Sequence, residues 1–182
     1  GNLQPNQRLS EPTLASELGV SRSPVREALT RLESDGLVRK KANRGFFVWE
    51  PTPRDVDEII SLRVMMESFT AEMVINKLTE EDFRHLEAMV ERQKAAVEVK
   101  GLFRLTRTDR EFHAYFVEKA GNKRLLNMWN QIMGQWEILI FQRAKHYPYV
   151  PETVVTDHLA ILQALRARDL KQLINVHHEI NN

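Results

Sequence analysis

From Asp55 to the end of the 182-residue chain, apolar residues recur at helical spacing, and no strand pattern interrupts them. Such a stretch can bury its apolar stripes only by packing helix on helix. The spacing predicts helices over about 54–76, 80–99, 102–119, 123–145, 152–167 and 169–182, with the clearest breaks at "AGNKR" and "HYPYVPE". Thr79 followed by Glu80, Glu81 and Asp82 is a good start signal, because acidic side chains suit the positive end of a helix. Six helices with short connections imply an antiparallel bundle over residues 55–182.

The first fifty residues follow another pattern. Ser10 is placed to cap a short helix reaching about Leu18, with Leu14 and Leu18 on one face, and Gly19 closes it. Ser21 caps the next helix, Pro24 falls within its first turn, and Gly36 ends it. "LVRKKANRGFFVWE" then reads as two extended runs, Leu37–Lys40 and Phe46–Trp49, joined by a turn containing Asn43 and Gly45. Two helices at a glycine-bearing turn followed by a β-hairpin form a winged helix-turn-helix over residues 1–50, and residues 51–54 read as a linker. The whole chain is expected to be mainly α.

The second of those helices carries an apolar row at Val25, Leu29 and Leu32, which suffices to dock it. Its arginines, Arg22, Arg26 and Arg31, must face something else, and that partner should be anionic. A net charge of +1 excludes a broadly basic coat, so any nucleic-acid site has to be a local patch. Residues 1–50 hold eight Lys/Arg against six acidic residues, clustered at Arg22–Arg31 and Arg39–Arg44, whereas the remainder holds eighteen against nineteen. Ser21, Arg22, Ser23 and Arg26 lie in the first turns of the helix, where a recognition helix meets base edges and phosphates. Lys40, Lys41, Arg44 and Gly45 on the hairpin suit phosphates or a narrow minor groove. Without cysteine there is neither a disulfide framework nor a thiolate metal site. No apolar run approaches the ~18 residues of a membrane span, and a cytoplasmic protein without membrane partners is expected.

"RLSEPTLASELGVSRSPVREALTRLESDGLV" followed by "NRGFFV" resembles the N-terminal domain of the GntR superfamily of bacterial transcription regulators, over about residues 3–50. The resemblance implies DNA contacts from Ser21, Arg22, Ser23 and Arg26, with wing contacts around Arg44 and Gly45. Pro12 stands where the family often has a basic residue, which removes one phosphate contact. The family's first winged-helix element would precede Gly1, so the chain is expected to be part of a longer protein.

Further along, Asp109 and His113 in "DREFH" leave one helix face a turn apart, His158 opens "HLAILQAL", and His177 and His178 lie near the chain end. A carboxylate and imidazoles converging inside a bundle suit a divalent metal of borderline-soft character, zinc or nickel, although this spacing equally fits a surface ion pair. Arg63 and Glu67 are likewise either a surface pair four residues apart or an interior pair, with Arg63 forked onto an effector carboxylate. "IISLRVMMESFTAEMVI", "DREFHAYFVEKAGNKRLL" and "DHLAILQALRARD" resemble the helical FCD ligand-binding domain of the FadR branch. By resemblance, Asp109, His113 and His158 match the first three of four metal positions. The fourth falls on Ile180, one turn after His177. Either His177 substitutes, or water or effector completes the site, or the site is metal-free. The implied function is a homodimeric transcription regulator that binds a double-stranded operator and senses a small carboxylate-bearing metabolite. The alternative is a metal-dependent hydrolase that uses Asp109, His113 and His158 to activate water.

Overall fold

The computed structural model describes residues 3–99, 101–146 and 152–180. Among them the chain runs β1 (Arg8–Leu9), α1 (Glu11–Leu18), α2 (Arg22–Ser34), β2 (Val38–Lys41), β3 (Gly45–Val48), then α3 (Pro53–Val74), α4 (Glu80–Glu98), α5 (Leu102–Lys119), α6 (Lys123–His146), α7 (Glu152–Ala167) and α8 (Leu170–Ile180). The fold is mainly α, with a winged helix-turn-helix before a bundle of six helices. Most of the break at "HYPYVPE" and the last two residues of the expected final helix lie outside the described residues.

Local chemistry explains where the elements start. Ser10 caps α1 by accepting from the backbone N–H of Thr13, and Gly19 ends that helix at a φ of 67°. Ser21 occupies the cap position of α2 but makes no side-chain cap hydrogen bond, contrary to its expected role. Thr52 and Thr79 head α3 and α4, each in a reciprocal capping box with Asp55 and Asp82. The wing also gains a strand that the sequence did not announce. β1 pairs antiparallel with β3 (Arg8 opposite Phe47, Leu9 opposite Phe46), giving the order β1-β3-β2. Two residues are too short to show a period.

Leu9, Ala15, Val25, Leu29, Val38 and Phe46 form the core of the winged helix. Two expected core leucines lie outside it. Leu18 is 67% exposed, where Gly19 turns the chain away, and Leu32 is 37% exposed. The last turn of α2 instead faces α6, so Leu32 borders a cleft with Leu37, Ile138 and Phe141. At this seam the side-chain amides of Gln131 and Gln135 donate to the carbonyls of Ser34 and Asp35, both at 3.1 Å. They satisfy acceptors that the end of α2 leaves open. A Cβ on Gly36 would collide with the Gln135 amide nitrogen, and the backbone there has a φ of +76°. Trp49, Ile59 and Leu139 continue the apolar contact beyond the wing.

The main bundle core gathers Val74, Leu86, Phe112, Ala164, Leu165 and Leu173. At its edge the buried Asp82 accepts from the Thr79 backbone and hydroxyl, from the Tyr115 hydroxyl and from the Lys119 ammonium. Burial works to raise its pKa, but these donors outweigh it and hold the carboxyl well below the ordinary aspartate range. The folded chain therefore keeps Asp82 ionised more firmly than the unfolded chain does. Its contribution is complete above about pH 3.9 and is lost as pH falls below that value. Asp82→Asn should cost about 1–3 kcal/mol at pH 7. Urea unfolding at pH 7 and at pH 3 should show the gap from wild type narrowing in acid.

Candidate functional site

Each helix of the bundle buries one stripe, and on five of them the stripe is interrupted by polar side chains. On α3 the row Ile59, Arg63, Met66, Glu67, Thr70 and Val74 is buried throughout. Gln93 on α4, His113 on α5, His158 on α7 and His177 on α8 are buried as well. Of the two readings open for Arg63 and Glu67, the interior one applies, since they are 2% and 4% exposed.

Arg63 organises the centre. Its Nε donates to Glu67 Oε1 at 2.8 Å, its Nη2 lies 2.9 Å from His113 Nε2, and its guanidinium carbon stands 4.6 Å from the Trp136 ring centroid. A guanidinium has no acceptor, so His113 Nε2 must present its lone pair to Arg63. The proton of the neutral ring then sits on Nδ1, which donates to Glu67 Oε1 at 3.1 Å. Burial would raise the Glu67 carboxyl, but Arg63 and His113 hold it well below its usual range. Glu67 thus fixes the tautomer that leaves His113 Nε2 able to ligate.

His158 is set the same way from the other side. Its Nδ1 donates to Gln93 Oε1 at 2.7 Å, and its ring stacks on Phe112 with centroids 4.0 Å apart. The remaining nitrogen, Nε2, lies 3.1 Å from His113 Nε2 and 3.3 Å from Asp109 Oδ1. Burial pushes the His158 pKa down to about 4 despite the Asp109 carboxylate beside it. Burial opposes ionisation of Asp109, but the nearby Arg63 guanidinium favours it, and the carboxyl is drawn below the ordinary aspartate range. Three electron-pair donors, from Asp109, His113 and His158, therefore face one another with their ligand atoms all within 4.8 Å.

The other sequence candidates fall elsewhere. His177 is buried, but its ring centroid lies 6.5 Å from that of His113, and it borders a different cavity of about 10 Å³ beside Glu67. That is room for about one water. Its pKa is pushed down to about 4, first by burial. His178 lies on an outer cleft against α3. Ile180 lines the cavity of about 120 Å³ that Asp109 and His158 share with Arg63, Thr106, Trp136 and Asp157. Burial and the nearby Asp109 both raise the Asp157 carboxyl. Gln93, Trp136 and Asp157 were not singled out from sequence for this site. Trp136 gave no sign beyond its helical spacing, and Gln93 stands 65 residues from the His158 it holds.

On the winged helix, Ser21, Arg22, Ser23 and Arg26 are all exposed along the start of α2. Arg26 is tied by two nitrogens to Glu11 of α1, at 2.8 and 2.9 Å. Lys41 donates to Asn6 and covers the Phe47 ring, while Arg44 is exposed at the tip of the wing and the half-buried Gly45 (φ +88°) begins β3. Among the described residues no ion pair engages Arg22 or Arg44.

Known proteins share both halves. The family model described as bacterial regulatory proteins, gntR family, matches residues 1–48, and the FCD domain model matches residues 58–178. The uncharacterized HTH-type transcriptional regulator YdhC of Bacillus subtilis (strain 168) is 31% identical over 173 residues, covering 93% of this chain and 75% of that protein. The gluconate operon transcriptional repressor of Bacillus licheniformis is 28% identical over 185 residues, covering 98% of this chain and 75% of that protein. Among solved structures, McbR/YncC of E. coli superposes with a TM-score of 0.87 at 26% identity, covering all (100%) of this chain and 86% of that chain.

Two of the buried histidines make the metal-free protein sensitive to mild acid. In the unfolded chain their rings take up protons below about pH 6.5, whereas His158 and His177 in the fold resist until about 4. Their stabilising contribution is therefore complete above about pH 6.5 and fades as pH falls toward about 4. Unfolding in EDTA at pH 7.5, 6 and 5 should show this decline, and His177→Gln should make it shallower.

Proposed function

Because the chain belongs to the GntR family of bacterial regulatory proteins and carries an FCD domain, it is a DNA-binding transcription regulator, and we propose that its helical bundle senses a small carboxylate-bearing metabolite with the help of a divalent metal. The observation that carries the metal is the donor set. Two neutral imidazoles, each with its outer N–H held by Glu67 or Gln93, aim their lone pairs at each other and at the Asp109 carboxylate. Three mutually facing donors repel unless a cation lies among them, and two imidazoles with one carboxylate suit zinc or nickel. Asp109, His113 and His158 would hold the ion, and His177 stands outside this set.

The cavity beside these residues sets the ligand. Its volume of about 120 Å³ suits a small molecule. Its fixed charges are Arg63 against Glu67 and Asp109, with Asp157 at the wall, so the residues alone disfavour an anion. A bound divalent ion supplies the positive charge that lets a carboxylate oxygen enter. Arg63 orients the ligand, Thr106 offers a hydroxyl at the wall, and Trp136 excludes water from one side. The hydrolase alternative falls, because the family and its relatives are transcription regulators.

On the DNA side, Ser21, Arg22, Ser23 and Arg26 would enter the major groove, and Arg44 and Gly45 would meet the backbone at the wing. Two such heads in a homodimer would read half-sites related by a two-fold axis. Arg22→Ala and Arg26→Ala in the full protein should each weaken operator binding by about 1–3 kcal/mol or more while leaving the melting temperature unchanged. Fluorescence anisotropy across a salt series, with a stoichiometry of two chains per operator, checks this reading, and unchanged affinity in both variants would sink it. For the metal, elemental analysis of purified protein should return about one divalent ion per chain, and His113→Ala should abolish it. Metabolite binding should alter operator affinity by a coupling of ~1–3 kcal/mol.

A further inference from the structure

The guanidinium of Arg63 already holds the electron pair that a metal would need. Its Nη2 lies 2.9 Å from His113 Nε2, and because Arg63 cannot lose its proton or accept one, that contact is a hydrogen bond into the imidazole lone pair. His113 Nε2 also faces His158 Nε2 at 3.1 Å and Asp109 Oδ1 at 3.7 Å. We propose that Arg63 is an internal competitor of the metal: its guanidinium and a divalent cation exclude one another at His113 Nε2. This inference rests on the metal reading above.

The surroundings show what Arg63 does when it yields. Its Nε bond to Glu67 Oε1 involves neither His113 nor Asp109, and the Trp136 face lies against the guanidinium carbon, so both contacts persist through a small rotation at the end of the side chain. The nitrogen released from His113 then faces the cavity bordered by Thr106, Asp157 and Ile180. Metal entry turns Arg63 from a partner of His113 into an unsatisfied donor in the ligand cavity. A carboxylate there satisfies it and keeps it from returning. Metal and carboxylate bind cooperatively through this one side chain, although each could bind alone. Glu67 serves both states, as counter-ion to Arg63 and as the acceptor that keeps the His113 proton on Nδ1.

The test is metal affinity of the full chain, stripped with EDTA and titrated with zinc or nickel against a chromophoric chelator at pH 7.5. Arg63→Met removes the competing donors and keeps the length of the stem. It should bind the metal at least tenfold more tightly than wild type. In case the loss of its partner leaves Glu67 unable to stay buried, the same comparison is made between Glu67→Gln and the double variant R63M/E67Q, with the same tenfold gain expected. In wild type, the Arg63 Nη2 proton resonance should move when metal is added. A gain in either pair together with that movement supports the competition, as does metal bound only when Arg63 is removed. Equal or weaker binding in folded variants, or an unmoved resonance on metal loading, overturns the competition while the metal reading stands. No metal bound by any of the four proteins overturns both.

Discussion

A guanidinium that is 2% exposed is the demand around which the bundle is arranged. Such a charge is costly to bury unless it is paired and every donor is used. Glu67 answers from one turn along α3, and His113 from α5. Trp136 on α6 covers the flat face, and Asp109 adds negative charge from the next turn of α5. Four side chains on three helices are thereby fixed in register against one group. His158 enters through His113 and is itself held by Gln93 of α4, which brings two more helices into the same network. The low pKa of His158 follows from its burial, while Arg63 helps keep the buried Glu67 and Asp109 carboxylates ionised.

The route from this centre to the winged helix runs along one element. Trp136 lies on Arg63, and its neighbour in sequence, Gln135, donates to the last turn of the recognition helix. Gly134 lets Leu37 pack directly onto the backbone of α6. The residue that covers Arg63 and the residue that closes the seam are thus adjacent on α6.

Much of this was legible in the sequence because local chemistry decided it. Thr79, three residues before Asp82, marked the start of α4, and Gly36 marked the end of α2, whereas Thr52, which caps α3 in the same way through Asp55, fell in the stretch read as linker. The four-residue spacing of Asp109 and His113 placed both on one face. The same spacing for Arg63 and Glu67 left their setting open. A surface pair and a buried pair look alike in isolation, and only the apolar neighbours Ile59, Met66 and Val74 on that row point inward. Gln93 was beyond reach, because a glutamine on an amphipathic helix gains meaning only from what lies opposite. Ile180 and His177 lie about one turn apart, and the facing helices, not the spacing, decide which of them borders Asp109 and His158. Leu32 misled because its row continues past the small core it was assigned to, onto α6.

The pairing of Arg26 with Glu11 bears on how α2, as the proposed recognition helix, would meet DNA that is not its target. An arginine already neutralised by a carboxylate displaces fewer counterions when it reaches a phosphate, and the carboxylate itself is repelled by the backbone. A base edge, being uncharged, imposes no such repulsion. If Arg26 meets DNA as proposed, Glu11 would lower the background attraction that any polyanion exerts on this face and leave directional hydrogen bonding comparatively untouched. On the proposed DNA face the helix would trade grip for discrimination, and the time a chain spends trapped on unrelated sequence would shorten accordingly.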